Sequence, residues 1–343
     1  MHGVRFSGIC EQSRQENRVD RLMAVREDVA AALERREPVV ALESTVIAHG
    51  LPRPHNLETA RKMEAAVREA GATPATIGIL ESKMVVGLSS EEIAFLADAK
   101  EVAKVSRSDI AAVLASGRPG ATTVAGTMFI AACAGIRIFA TGGIGGVHRG
   151  SEHSSDISAD LTELSRTPVA VVCAGAKAIL DLARTLEVLE TLGVPVVGYG
   201  TKEFPAFYSR ESGLPLQHRV DSAEEAARML GVQWELAGRG EGFGAGVLIA
   251  NPPPEESALP REEIEALVEN ALQAAELAGM HGKRVTPFLL DHVARASGGE
   301  TLESNMALLI GNARLAGNIA VAYSAQEKRG GRAELHDRSR TPQ

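Results

Sequence analysis

Blocks of almost continuous apolar residues alternate along the chain with stretches whose apolar positions recur every three or four residues. The blocks are "VVALES" (39–44), "TIGIL" (76–80), "EVAKVS" (101–106), "IRIFATG" (136–142), "PVAVVCAG" (168–175), "PVVGYG" (195–200) and "AGVLIANP" (245–252). Rich in Val and Ile, with no strict period of two, they predict strands buried on both faces. Helical spacing fills the intervals at 54–71, 90–98, 108–116, 124–134, 157–166, 175–193 and 222–230. Such alternation predicts an α/β fold, a three-layer α/β/α arrangement around a mainly parallel sheet. A first helix is expected over 21–36, where Leu22, Met23, Val25, Val29, Ala32 and Leu33 recur at roughly helical spacing before Glu37-Pro38 ends it. From Pro260 onward the pattern is helical throughout, over 260–279, 286–297 and 301–327.

No internal repeat and no linker-like segment divides this pattern. A single large domain is expected over 21–328, with a helical C-terminal part. The polar, aperiodic residues 1–20 read as a disordered leader, and the charged residues 329–343 as a disordered tail.

Composition narrows the partners. Aromatic residues make up only 3% of the 343 positions, so the core must be built from Ala, Val, Ile and Leu. A net charge of −8 argues against a broad surface for nucleic acid or anionic membrane. No uninterrupted apolar run of transmembrane length is present, nor the apolar region of a signal peptide. Cys10, Cys133 and Cys173 have no CxxC spacing. These features lead to the expectation of a cytoplasmic protein.

The densest concentration of chemistry is "TGGIGGVHRGSEHSSDISAD" (141–160), which follows a strand and so falls at the ligand-binding edge of a parallel sheet. Its glycines permit close backbone approach, and His148, Asp156, Ser158 and Asp160 supply polar groups. Asp156 and Asp160, four apart, are expected on one face of a helix. Oxygen donors of this kind suit a hard divalent cation, Mn²⁺ or Mg²⁺, with waters completing its shell. The glycine spacing is not that of a dinucleotide fingerprint, and no GK[ST] follows as in a P-loop.

Glu43 ends the first strand, where a buried carboxylate can act as a general acid or serve structurally. His49, just beyond, reads more as a structural residue. Lys104, with Arg107 nearby, either holds an anion or is a solvated lysine on a surface strand, and at Thr123 either backbone N–H groups bind a phosphate or carbonyl or the threonine simply caps a helix. Phe204, Phe207 and Tyr208 form a cluster that either stacks on a planar ring or folds over the core. Asn305 places an amide in an apolar helix, where it needs a partner. Lys177 stands among small and apolar neighbours at an expected strand-to-helix turn. Such surroundings favour a neutral, nucleophilic amine, unless the side chain snorkels to solvent.

These segments, taken in order, resemble the indigoidine synthase A-like family of pseudouridine-5'-phosphate glycosidases. The resemblance runs from about Pro38 to Ser324 and is carried by "PVVALESTVIAHGLP", "KVSRSDI", "GATTVAGTM", "FATGGIGGVHRGSEHSSDISADL", "VVCAGAKAILDL", "GYGTKEFPAFYSRESG", "RVDSAEEAA", "ANPPPEE" and "TPFLLDHVA". One departure is "GILESKMVVGL" (78–88), where a glycine-bearing turn is expected instead.

The resemblance implies reversible cleavage of the C–C glycosidic bond of pseudouridine 5'-phosphate to uracil and ribose 5-phosphate. It further implies a divalent metal, usually Mn²⁺, and a homotrimer. It makes Glu43 the proton donor, Lys177 the nucleophile that forms a Schiff base, and Asp156 the metal ligand. Lys104, Thr123, Val124, Ser158, Ala159 and Asp160 become substrate contacts, with His148 and Asn305 as further pocket positions. A lyase for another phosphorylated riboside and a non-catalytic sugar-phosphate sensor are the alternative readings.

Overall fold

The computed structural model describes residues 20–237, 244–280 and 285–338. Its strands in chain order are β1 (Met23–Val25), β2 (Val39–Leu42), β3 (Thr73–Leu80), β4 (Lys83–Val86), β5 (Ala103–Val105), β6 (Gly120–Thr122) and β7 (Ile138–Ala140). They continue as β8 (Val147–His148), β9 (Ala170–Cys173), β10 (Leu180–Asp181), β11 (Val196–Tyr199), β12 (His218–Val220) and β13 (Val247–Ala250). Among the described residues, eleven strands form one sheet in the order β1-β4-β3-β2-β7-β9-β13-β11-β12, with β6 pairing β3 and β5 pairing β6. Pairing from β3 through to β12 is parallel, and the antiparallel pairs of this sheet are β3 with β4 and with β6. Every residue of β2, β7, β9 and β13 is buried, as their unbroken apolar runs require.

Helices cover the sheet. The longest, Glu300–Arg338, packs against helices His55–Glu69 and Ala223–Ala237 and crosses β2, β7 and β9. Residues 300–328 of it are long and apolar enough to cross a bilayer by length and composition, although the sequence has no unbroken run of that length. Half of that window is buried inside the fold, as befits a central helix of a layered core.

The chain departs from expectation in several places. Residues 21–36 are not one helix: Met23–Val25 pairs with Met84–Val86 at the sheet edge, and helix Glu27–Glu34 follows. Helical spacing there reflected the need to bury Met23 and Val29, which a strand followed by a short helix also meets. The helix expected over 157–166 is Ala159–Leu164, and that over 175–193 starts only at Leu182. The last helix extends past 327 to Arg338. The β3–β4 hairpin turns through Glu81 (φ 49°) and Ser82 (φ 60°), both in the left-handed region without a glycine. Of the expected leader, residues 1–19 lie outside the described residues, as do residues 339–343 of the expected tail.

Candidate active site

The site lies at the carboxyl ends of β2, β7 and β9, where the central parallel strands release their loops together. The loops after β7 and β9 run side by side beyond the sheet. Ala174 N–H donates to Gly142 O (2.8 Å), Ile144 N–H to Gly175 O (3.0 Å) and Lys177 N–H to Ile144 O (3.1 Å). Leu180–Asp181 then pairs antiparallel with Val147–His148. Lys177 is therefore held on a hydrogen-bonded loop and not on the first turn of a helix, which corrects the sequence expectation. Asp181 caps that helix four residues later, accepting from Arg184 N–H at 3.0 Å. Gly175 (φ 81°) makes this path accessible, since a Cβ there would collide with the Pro205 carbonyl.

Glu43 emerges from β2 with 7% exposure. The Thr141 hydroxyl donates to its Oε1. Behind it, Thr141 O accepts from Asn312 Nδ2 at 2.8 Å, and Asn312 Oδ1 accepts from Asn251 Nδ2 at 2.9 Å. Burial pushes the Glu43 pKa up, while the Lys177 charge and the Thr141 hydrogen bond pull it back down. Lys104 and Asp160 also act on Glu43 electrostatically, so both lysines and two carboxylates share one region.

A cavity of about 330 Å³ opens from this region, lined by polar residues that include Ser106, Thr123, His148, Asp156 and Ser158. A narrower extension has apolar walls from Val46, Phe207, Leu290 and Leu309, with His49 and Asn305 as polar groups. Glu43, Thr45, Lys104, Lys177 and Thr286 line both lobes, so the candidate acid and the candidate nucleophile stand where the lobes meet. The larger lobe falls within the ~300–1,000 Å³ usual for small-molecule sites.

The polar lobe is built around two helix N-termini. Thr123 caps helix Val124–Cys133, accepting from Gly126 N–H at 3.4 Å, and Ser158 caps Ala159–Leu164, accepting from Asp160 N–H at 3.2 Å. Val124, Ala159 and Asp160 border the same lobe. Asp160 is buried, and its two oxygens accept from Ala125 N–H (2.9 Å) and Gly145 N–H (2.8 Å), tying the glycine-rich loop to a helix start. A Cβ on Gly145 would collide with Ser158 Oγ, so this close approach requires glycine. Asp156 precedes the helix and does not share a face with Asp160, which corrects the spacing argument. His148 N–H instead donates to Asp156 O at 3.1 Å. Burial holds the His148 ring below its ordinary pKa against the pull of the Asp156 carboxylate.

Among the described residues no group of three or more His, Cys, Asp or Glu side chains converges as a metal cage. The donor set does suit a hard cation that keeps most of its waters: Asp156 is half-buried on a polar cavity and forms no side-chain hydrogen bond among the described residues.

The structure brings Glu43, Lys104, Thr123, Val124, His148, Asp156, Ser158, Ala159, Asp160, Lys177 and Asn305 to one two-lobed cavity. Of the aromatic cluster, Phe207 reaches the cavity, while Phe204 and Tyr208 are buried in the core. Sequence reasoning missed Thr141 and Asn312. The only sequence signal for Thr141 was its position at the end of a buried strand, beside Gly142. Asn312 had a signal of the kind that drew attention to Asn305, an amide within an apolar helix.

The sequence model of the family described as "Indigoidine synthase A like protein" matches residues 28–322. Relatives named pseudouridine-5'-phosphate glycosidase include those of Caldanaerobacter subterraneus, 54% identical over 303 residues (88% of this chain and 97% of the relative), and Escherichia coli, 52% identical over 303 residues (88% and 96%). Among solved structures, the prealnumycin C-glycosynthase AlnA in complex with ribulose 5-phosphate superposes with a TM-score of 0.82. It is 44% identical, across 90% of this chain and 99% of that one. An indigoidine synthase A-like protein from Thermotoga maritima gives a TM-score of 0.79 at 39% identity, over 88% and 97% of the two chains. With the family match spanning most of the chain and its fold shared by solved relatives, this protein belongs to the indigoidine synthase A-like family.

Proposed function

We propose that this protein is a pseudouridine-5'-phosphate glycosidase, reversibly cleaving the C–C glycosidic bond of pseudouridine 5'-phosphate to uracil and ribose 5-phosphate. The observation that carries the reading is the buried Glu43 within the field of Lys177, at the junction of a polar and an apolar-walled lobe. Homologues above half identity bear that name, and a relative of the same fold binds a pentose 5-phosphate.

The chemical difficulty is that uracil leaves through carbon, with no lone pair at the breaking bond. In the proposed sequence Glu43 protonates the ribose ring oxygen as the Lys177 amine adds to C1′ and the ring C1′–O bond breaks. The added amine returns a proton to Glu43, which delivers it to C5 of uracil. The C1′–C5 pair then leaves with the base as the nitrogen lone pair forms the C1′=N Schiff base. Water hydrolyses this to ribose 5-phosphate and regenerates the amine. Covalent catalysis divides one difficult step into easier ones.

The phosphate is assigned to the polar lobe, where Lys104 and Ser158 offer a cation and a hydroxyl. Thr123, His148, Ala159 and Asp160 line that lobe. The base is assigned to the apolar-walled lobe beside Asn305. Asp156 would hold a divalent cation, most suitably Mn²⁺, which when bound supplies charge neutralisation near the sugar phosphate. A cytoplasmic location is supported by the unpaired Cys133 and Cys173. A homotrimer is proposed from the family resemblance, and light scattering of the purified protein tests it.

Ultraviolet detection of uracil release from pseudouridine 5'-phosphate, uridine 5'-phosphate and unphosphorylated pseudouridine tests the function. Release from the first alone supports the reading. Ligand binding without release leaves a sensor, and release from uridine 5'-phosphate instead leaves a different riboside lyase.

A further inference from the structure

His49 sits on a single π-helical turn, Val46–Gly50, that follows Glu43 by a few residues. It lines the apolar-walled lobe together with Glu43, Lys104, Lys177 and Asn305. Its Nε2 is buried with no hydrogen-bond partner, a state that costs free energy in a folded protein and that native structures rarely leave unexplained. A backbone hydrogen bond with Val102 pulls the ring's pKa upward, as a carbonyl acceptor does, and with Nε2 unpartnered Nδ1 is the nitrogen left to make it. That bond selects the tautomer. The neutral ring carries its proton on Nδ1 and presents Nε2 as an acceptor. Burial and the nearby Lys104 charge both favour the neutral ring.

The lobe is thus lined by His49 with its unpartnered Nε2, by the Asn305 amide, which can donate and accept, and by apolar side chains. A uracil ring matches this set: two carbonyl acceptors, two N–H donors and apolar faces. The match bears on selectivity. When the sugar is attached through C5, both N1–H and N3–H remain free, whereas attachment through N1 removes one of them. A phosphate gains nothing from a neutral acceptor, and the polar lobe offers it the hydroxyls of Ser106 and Ser158.

We propose that His49 is a specificity-determining residue whose Nε2 accepts a hydrogen bond from a ring N–H of the uracil base. The proposal rests on the glycosidase reading above.

The test runs the reaction in the synthetic direction, with ribose 5-phosphate and uracil, 1-methyluracil or 3-methyluracil. Wild-type enzyme is expected to reject at least one methylated base. His49→Ala should raise the KM for uracil about 10-fold or more, leave that for ribose 5-phosphate unchanged, and shrink the rejection of that methylated base. His49→Gln, which keeps an acceptor on a similar reach, should recover much of the uracil KM. Circular dichroism checks that both variants fold, and if the His49→Ala protein is unfolded the His49→Gln variant decides by its methyl-base discrimination. A joint rise in both KM values, as expected if His49 only positions Lys104, overturns the proposal, as does an unchanged uracil KM. If wild-type enzyme makes no product from uracil in either direction, the glycosidase reading itself fails and this inference falls with it.

Discussion

The Thr141 hydroxyl donates a hydrogen bond to the Glu43 carboxylate, and the Thr141 carbonyl accepts one from Asn312, on the long helix that crosses the sheet. Two strand ends and a distant helix therefore determine where the proposed proton donor points. That bond opposes the upward shift that burial imposes on Glu43.

Replacing Thr141 by Val keeps the shape and removes the donor. The Glu43 pKa should then rise further, so the alkaline limb of kcat, on which activity falls as the proton donor ionises, should move to higher pH. An accompanying loss of ~10- to 100-fold in kcat is expected from the freed carboxylate. Thr141→Ser should keep the wild-type profile. A pH profile of Thr141→Val superposable on wild type would remove Thr141 from this role.

Glu43→Gln should abolish uracil release while stabilising the fold in a pH-dependent way. A carboxyl raised above its unfolded pKa stabilises the folded state fully below the unfolded value, and that contribution is lost as pH rises through the folded one. The stability gain of the Gln variant should therefore be larger at pH 8 than at pH 5. Thermal melts of both proteins across that range check the sign.

Lys177→Ala should lower kcat by about 1,000-fold or more, because it removes the amine proposed to form the adduct. Lys177→Arg should be equally inactive, since a guanidinium keeps the charge without the nucleophile. Borohydride reduction during turnover, followed by peptide mass spectrometry, should find a pentose phosphate adduct on Lys177 in wild-type protein alone. An adduct on another residue would end the covalent role assigned here.

Outside the cavity lining, the hairpin turn at Glu81 and Ser82 carries two side chains in the left-handed region. A two-residue turn with positive φ at both positions favours Asn-Gly or Asp-Gly. Ser82→Gly should therefore stabilise the protein by about 1 kcal/mol without changing kcat/KM. Urea unfolding gives the answer, and an unchanged or lower midpoint would show that the turn is not strained.

Much of the fold was legible along the chain. The apolar runs at 39–44, 136–142 and 168–175 cover the central strands β2, β7 and β9, because a strand buried on both faces has to be apolar throughout. Their carboxyl ends could be read from the same runs, and with them the placement of Glu43, the glycine-rich loop and Lys177 in one crevice. What stayed hidden depends on partners remote in sequence. Met23–Val25 became a strand because Met84–Val86 offered an edge, which no local periodicity reports. Lys177 left the helix because its loop found Ile144 and the β8 segment to pair with. Asp160 turned to the N–H groups of Ala125 and Gly145, breaking the facing pair expected from its spacing to Asp156.

The sequence by itself determined the layered α/β architecture and which carboxylate and which amine meet at the strand ends, since strand burial and strand polarity are written in local composition. Tertiary structure alone decided the orientation of those groups. Glu43 is aimed by Thr141 and, behind it, by Asn312, which lies 171 residues beyond Thr141 in the chain. Hydrogen bonds across such a separation form only after the sheet and its covering helix have closed together.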